Sequence, residues 1–390
     1  MKKRFQLLAL LLGLTVLSCG CTPTRQNEGE PLQNHVNNTS GKENENQDKL
    51  DVLRPVAYSD VQDLRLEPGT YISIIGKYNN NSYWEQVEAG AERAIEDIND
   101  MMKYEGNDKV KLVFSAPGVR DDIDEQVSIL DEELARYPNV ICIAPVDTSA
   151  CLTQFELADQ DGIPIITFDS GSEYHDVTAH ISTDNLEASA TAAKEMASLL
   201  KESGKIAVFV HDSFSMTAKN REQGFLDELT NYSNMEVAHI YHLDELEEMA
   251  NLITDEKNAT LEEEAENRAK AEDVTQEEVI SYILEKNPDL KGLYATNLET
   301  TQLLADVLKE KEMNNLAFIG FDGGEDQIQL LTDEVVDGLI LQNPYGMGYA
   351  TVVAAARTVL DLGNEAFIDS GYTFVTKINM EDSVIQKFIY

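Results

Sequence analysis

The chain has 390 residues, with 30 Lys and Arg against 71 Asp and Glu, a net charge of −41 at pH 7. A field that negative repels phosphate backbones, which excludes nucleic acid as a partner and favours a neutral or cationic ligand. With 42% hydrophobic residues the chain is no disordered acidic tail, and its length suits about two domains.

Lys2, Lys3 and Arg4 precede a Leu-rich run over 7–17 that is too short to span a bilayer, as in an export signal. Small residues then surround two cysteines, Ser18-Cys19-Gly20-Cys21, which resembles the lipobox of bacterial lipoproteins. Residues 1–21 are therefore expected to be a lipoprotein signal. Cys19 or Cys21 would carry a lipid that anchors the protein outside the cytoplasm, on the bacterial cell membrane. Residues 22–69 are polar and Asn-rich, without an apolar period, and predict a flexible tether reaching about 40 Å.

From residue 70 onward, β-branched apolar runs alternate with amphipathic stretches, the pattern of an α/β protein with parallel sheets. Strands are predicted at 71–76, 109–115, 140–144 and 163–168, with helices at 83–102, 123–136 and 150–160. Further strands at 205–210, 235–241, 292–295, 317–321 and 338–341 alternate with helices, so two similar lobes are expected. Residues 244–287 are acidic and longer than a crossover helix needs, and predict a solvated helical insertion. Cys142, in a strand, and Cys151, at a helix start, are expected to be buried free thiols.

A series of short polar clusters follows the strands in one order: Asn81-Ser82-Tyr83-Trp84 with Gly90-Ala91, Ala144-Pro145-Val146-Asp147, Thr167-Phe168-Asp169, Thr183-Asp184-Asn185, Arg221 with Gly224-Phe225, Thr296-Asn297, Gly320-Phe321-Asp322-Gly323 and Gln342-Asn343-Pro344. In this order the chain resembles the type 1 periplasmic binding proteins, the sugar-binding components of ABC importers. The resemblance implies two doubly wound parallel-sheet lobes joined by a three-crossing hinge, with crossings near Thr183, near Gln342 and at 374–376. It divides the chain into an N-terminal lobe, 70–183 plus 343–374, and a C-terminal lobe, 184–342 plus 375–390. Elementary topology agrees on the place of the site, because ligands of open α/β sheets bind beyond the carboxyl ends of the strands.

The family's pocket, carried over position by position, consists of Asn81, Tyr83, Trp84, Asp169 and Ser170 on the first lobe. Arg221, Asn297 and Asp322 face them from the second, and Gln342 closes the site at a crossing. The chemistry suits a sugar, whose C–H faces stack on an aromatic ring and whose hydroxyls pair with planar side chains. Each residue also has a purely structural reading: Tyr83 and Trp84 as core, Asp169 and Asp322 as caps or turns, and Arg221 as a surface partner of Glu222 or Glu228. Ser170 and Ala144 stand where ribose-binding members carry Arg and Asn, which argues against ribose itself and leaves room for a larger sugar, a different polyol or a non-sugar such as an autoinducer or a nucleoside.

The implied function is delivery of the captured solute to an ABC permease, by a monomer needing no cofactor or metal. A ligand-sensing subunit for a membrane histidine kinase or chemoreceptor would use the same trap. No phosphate loop, nucleophile elbow or metalloprotease motif is present in the sequence, and its six histidines are scattered.

Overall fold

The computed structural model describes residues 46–79, 81–260, 262 and 267–390. The signal, lipobox and first part of the predicted tether lie outside these residues. From residue 46 the tether expectation fails. Helix α1 (Gln47–Asp51) and the turns that follow bury Leu50, Leu53, Tyr58, Val61, Leu64 and Leu66 in the core of the first lobe. These apolar residues have neither a helical nor a strand period, so the segment reads as polar in sequence although it is packed in the fold.

The first lobe alternates β1 (Tyr71–Ile75), α2 (Ser82–Met102), β2 (Lys111–Ser115), α3 (Ile123–Leu134), β3 (Val140–Ile143), α4 (Leu152–Gln160), β4 (Ile165–Phe168) and β5 (His180–Ser182). The chain then enters the second lobe through α5 (Asn185–Leu199). There β6 (Ser203–Val210), α6 (Met216–Leu229), β7 (Asn234–His242), α7 (Leu246–Asn258), α8 (Gln276–Lys286), β8 (Leu290–Ala295), α9 (Leu298–Glu310), β9 (Ala317–Phe321), α10 (Glu325–Thr332) and β10 (Gly338–Gln342) follow. Helix α11 (Pro344–Val359) and β11 (Phe367–Asp369) return to the first lobe, and β12 (Tyr372–Val375) closes the second sheet.

The two sheets have matching strand orders, β11-β5-β4-β3-β1-β2 and β12-β10-β9-β8-β6-β7. All neighbours are parallel except β10 and β12, which run antiparallel. Continuously apolar strands such as β3 are buried on both faces, as helices covering both sides of a parallel sheet require.

The first two crossings fall where expected, between Ser182 and Asn185 and after Gln342. The third lies at Ser370-Gly371, because β12 already pairs with β10 from Tyr372, so 372–374 belong to the second sheet. Gly371 takes a φ of +83°, a turn that suits glycine. The crossings are laced together: the Thr183 hydroxyl donates to Gln342 Oε1 at 2.9 Å, Asn343 Nδ2 donates to the Ser370 carbonyl at 2.8 Å, and the Ser370 N–H donates to the Ser182 carbonyl at 2.9 Å.

The acidic stretch 244–287 holds helices α7 and α8, as expected, but is no solvated insertion. Ala250 and Ile253 of α7 and Val279, Ile280, Ile283 and Leu284 of α8 lie in the second lobe's core. Acidic residues cover only the outer faces, so net charge concealed an amphipathic pair.

Cys142 and Cys151 are buried free thiols, and burial pushes both well above the usual thiol range. His180 on β5 is held by Thr167 Oγ1 at 2.9 Å, and burial lowers its pKa to about 4. Since the folded value lies below the unfolded one, its contribution to stability is present above pH 6.5 and is lost as pH falls toward 4. Between pH 7 and pH 4, a His180→Gln variant is expected to lose about 3 kcal/mol less stability than the parent. Urea midpoints at the two pH values measure this, and equal losses would refute it.

Candidate functional site

The site lies at the carboxyl ends of the strands, where the first turns of α2, α6 and α9 converge with the loops after β2, β4 and β9. These elements enclose a cleft of about 620 Å³, part of it open to solvent.

The two lobes supply the same constellation. Asp169 follows β4 and Asp322 follows β9, equivalent strands in the two sheet orders. Each has a left-handed backbone, with φ of +57° and +75°, and each donates its N–H to the adjacent strand, Asp169 to the Ile181 carbonyl at 2.8 Å and Asp322 to the Ile340 carbonyl at 2.7 Å. A left-handed non-glycine residue costs roughly 1–2 kcal/mol, and such strain is retained where a side chain must be aimed. Both carboxylates are more than nine-tenths buried. Neither caps its own following helix: α10 is preceded by Gly324, and Asp322 Oδ2 accepts instead from the Leu298 N–H of α9 at 2.9 Å.

Asn81 and Asn297 are helix caps that also line the cleft. Each caps its helix through Oδ1, Asn81 accepting from the Tyr83 N–H and Asn297 from the Thr300 N–H. Capping uses the oxygen of each amide, whose nitrogen is a donor.

Tyr83 and Trp84 are buried yet line the cleft. Trp84 packs edge-on to Tyr83 at 5.3 Å and to Phe168 at 6.1 Å. The Tyr83 hydroxyl donates to Asp169 Oδ1 at 2.7 Å, and burial followed by the Asp169 charge raises its pKa well above the usual tyrosine range. It therefore stays a neutral donor.

Arg221 is buried and pairs with neither Glu222 nor Glu228, which engage His242 and Lys194. Its Nε donates to Asn185 Oδ1 and its Nη1 to the Thr296 carbonyl, both at 2.7 Å, while the guanidinium lies 3.8 Å over the Phe321 ring. Gln342 Nε2 donates to Asp322 Oδ1 at 2.6 Å, which couples the hinge to the pocket. Burial raises the Asp322 carboxyl above the usual range, with the Arg221 charge and the Gln342 bond opposing it.

Ser170 departs from expectation. It is buried beside Asp169 without lining the cleft, and its Oγ has no hydrogen-bond partner among the described residues.

The sequence reading missed several lining residues. Lys77 follows β1 and lies 3.7 Å from Asp169 Oδ2. Arg120, from the loop after β2, crosses the cleft mouth to Glu299 of α9 at 2.7 Å and also meets Asp121. His211 and Asp212 follow β6, the counterpart of β1. Burial and the Arg221 and Lys77 charges push His211 well below its usual pKa, so it is neutral, with Nδ1 at 2.7 Å from Thr296 Oγ1. The strand-end rule that found Asp169 could have found these residues also.

Two parallel-sheet lobes, a hinge of three laced crossings and a polar, aromatic-walled cleft between them make the architecture of a two-lobe binding protein. The chain belongs to the periplasmic binding protein family: the model described as "Periplasmic binding protein domain" matches residues 72–364. The ribose import binding protein RbsB of Bacillus subtilis is 22% identical over 60% of this chain and 68% of its own length. The xylitol-binding protein of Mycolicibacterium smegmatis is 23% identical over 73% and 74%. Among solved structures, an ABC transporter solute-binding protein from Agrobacterium vitis with bound D-fucose superposes with a TM-score of 0.66 at 25% identity, covering 82% of this chain and all of that one. A carbohydrate transporter solute-binding protein from Agrobacterium radiobacter, in complex with D-arabinose, gives 0.67 at 26% identity, covering 82% and 99%.

Proposed function

We propose that this protein captures a neutral sugar or polyol in the interlobe cleft and delivers it to an ABC import permease. The observation that carries this reading is the pair of strained, buried carboxylates, Asp169 and Asp322, facing one cleft with the Asn81 and Asn297 amides and the Trp84 and Tyr83 rings. Carboxylates accept hydroxyl protons, amides donate to hydroxyl oxygens, and the rings receive the C–H face of a pyranose or an extended polyol. The cleft's cations favour an uncharged ligand: Lys77 and Arg120 are matched by Asp169, Asp121 and Glu299, and Arg221 is anchored by Asn185 and the Thr296 carbonyl. The names of the relatives support the same class. Ala144 and Ser170, which replace larger polar groups of ribose-binding members, speak for a sugar other than ribose.

Ligand that contacts both lobes favours the closed arrangement by its differential affinity, and the closed form is what a permease would recognise. We further propose that the protein is extracytoplasmic and monomeric, held at the membrane through lipid on Cys19 or Cys21.

Thermal-shift titration of the full chain with D-ribose, D-arabinose, D-galactose, D-fucose and xylitol, with a nucleoside and an amino acid for contrast, tests the ligand class. At a hundred times Kd a ligand adds about 2.7 kcal/mol to stability. A melting-temperature rise of several degrees is expected with at least one of the carbohydrates, lost in Asp322→Ala. No rise with any of them, or an equal rise in the variant, would overturn the reading.

A further inference from the structure

Asp169 and Asp322 each have a tyrosine on them, and the second comes from an unexpected place. The segment after β12 buries Met380 and Phe388 in the second lobe's core and brings Tyr390 behind the cleft, against Asp322 and Tyr83, two of its lining residues. The Tyr390 N–H donates to the Gly323 carbonyl at 3.1 Å, and its hydroxyl donates to Asp322 Oδ1 at 3.2 Å while accepting from the Gly323 N–H at 3.3 Å. Its ring packs edge-on to Tyr83 at 5.7 Å. One side chain thus touches a lining residue of each lobe.

The consequence follows from counting acceptors. An ionised carboxylate offers about four lone pairs. Among the described residues, Asp322 receives Gln342 Nε2 at 2.6 Å and the Tyr390 hydroxyl on Oδ1, and the Leu298 N–H at 2.9 Å on Oδ2. About one lone pair is left. Among the described residues Asp169 receives the Tyr83 hydroxyl alone, since Lys77 at 3.7 Å is an ion pair beyond hydrogen-bond range. Both of its oxygens keep capacity. The symmetry of the backbone at Asp169 and Asp322 is therefore broken by their partners.

We propose that Tyr390 is a specificity-determining residue of the cleft: by occupying a lone pair of Asp322 it leaves that carboxylate a single acceptor, so that a bound sugar presents a vicinal diol to Asp169 and one hydroxyl to Asp322. This rests on the sugar-or-polyol reading above. Removing the Tyr390 hydroxyl frees a second acceptor on Asp322. A ligand lacking one hydroxyl at that end can then offer a neighbouring one, and discrimination against it falls.

The test compares the full-length parent with Tyr390→Phe by isothermal titration, using D-ribose and D-arabinose against 2-deoxy-D-ribose, and D-galactose against 2-deoxy-D-galactose and D-fucose, its 6-deoxy form. For the parent sugar that binds, the affinity ratio of sugar to deoxy analogue is expected to change at least tenfold in one pair, with the ligand-free melting temperature within a few degrees of the parent's. Unchanged ratios in every pair, with the parent chain binding normally, would overturn the role of Tyr390 and leave the sugar reading intact. No binding of these sugars, nor of xylitol, to the parent chain would overturn both. Should Tyr390→Phe fail to fold, 3-fluorotyrosine placed at 390 keeps the hydroxyl: its fluorine resonance is expected to shift on adding the sugar, and an unmoved resonance overturns the proposal.

Discussion

Replacing Gly90 by alanine is expected to destabilise the protein by about 3 kcal/mol, although the same change in an unpacked helix would stabilise it by roughly 1 kcal/mol. A Cβ at Gly90 of α2 would sit 2.0 Å from the Tyr345 carbonyl oxygen of α11, and one at Gly348 of α11 would sit 1.9 Å from the Val87 carbonyl oxygen of α2. The obstacle is backbone, which no rotamer change relieves. The helices would have to separate by on the order of 1 Å, loosening every contact along a close-packed interface. The second lobe repeats the device, with Gly224 of α6 2.2 Å from the Leu186 carbonyl oxygen of α5. In each lobe the glycine lets the helix after the first strand press against the helix that follows a crossing strand. Binding should fall as well, because α2 carries Asn81, Tyr83 and Trp84 at its start, and the Tyr83 hydroxyl lies 3.6 Å from Met347 Sδ of α11. Chemical denaturation checks the prediction, with Gly118→Ala as control, where a Cβ meets nothing nearer than 3.9 Å and φ is not left-handed. Equal midpoints for the two variants would refute it.

What was legible in the sequence, and what was not, follows from where each signal resides. The buried stretches 206–210 of β6 and 292–295 of β8 show as apolar runs, and both strands are legible to within two residues. The three-residue strands β5 and β11 carry too little pattern, and β12 is recognisable only through its pairing with β10. That is why the third crossing was placed at 374–376 instead of 370–371. The segment from Gln47 to Leu66 packs through side chains at irregular intervals, so periodicity could not distinguish it from a tether. In the site, Asp169 and Asp322 are legible because they directly follow strands whose ends face the cleft, and Asn297 because it comes two residues after another such strand. Tyr390 was not, since nothing local ties it to Asp322, which lies 68 residues earlier. Arg120 and Glu299 meet only because the lobes face each other, a relation between distant loops. Asn81 and Asn297 cap α2 and α9 and also line the cleft, a double position that a helix-start signal alone does not reveal.

Arg221 offers a sharper test of how the cleft works, because its loss should move the pH dependence of binding as well as its strength. Its charge is the largest effect holding down the carboxyl of Asp322, which burial alone would raise further. The Asp322 carboxyl must be ionised to accept from Gln342, Tyr390 and Leu298 together and still take a ligand hydroxyl. In Arg221→Met the charge is gone while much of the side-chain volume remains. Asp322 should then stay protonated to higher pH, and binding of the sugar identified by the thermal-shift panel should decline with an apparent pKa displaced upward from the parent's. In Arg221→Lys the charge remains. A single ammonium cannot, however, reproduce the fork that reaches Asn185 and the Thr296 carbonyl or the stacking on Phe321. Affinity should therefore fall in both variants, by about 100-fold if a charged hydrogen bond and its geometry are lost together. Only the methionine variant should shift the profile. Isothermal titrations from pH 5 to 8 separate the two contributions. Coincident profiles for the parent and Arg221→Met would mean that Arg221 acts on the cleft through packing alone, and that the electrostatic coupling between it and Asp322 has no part in holding the ligand.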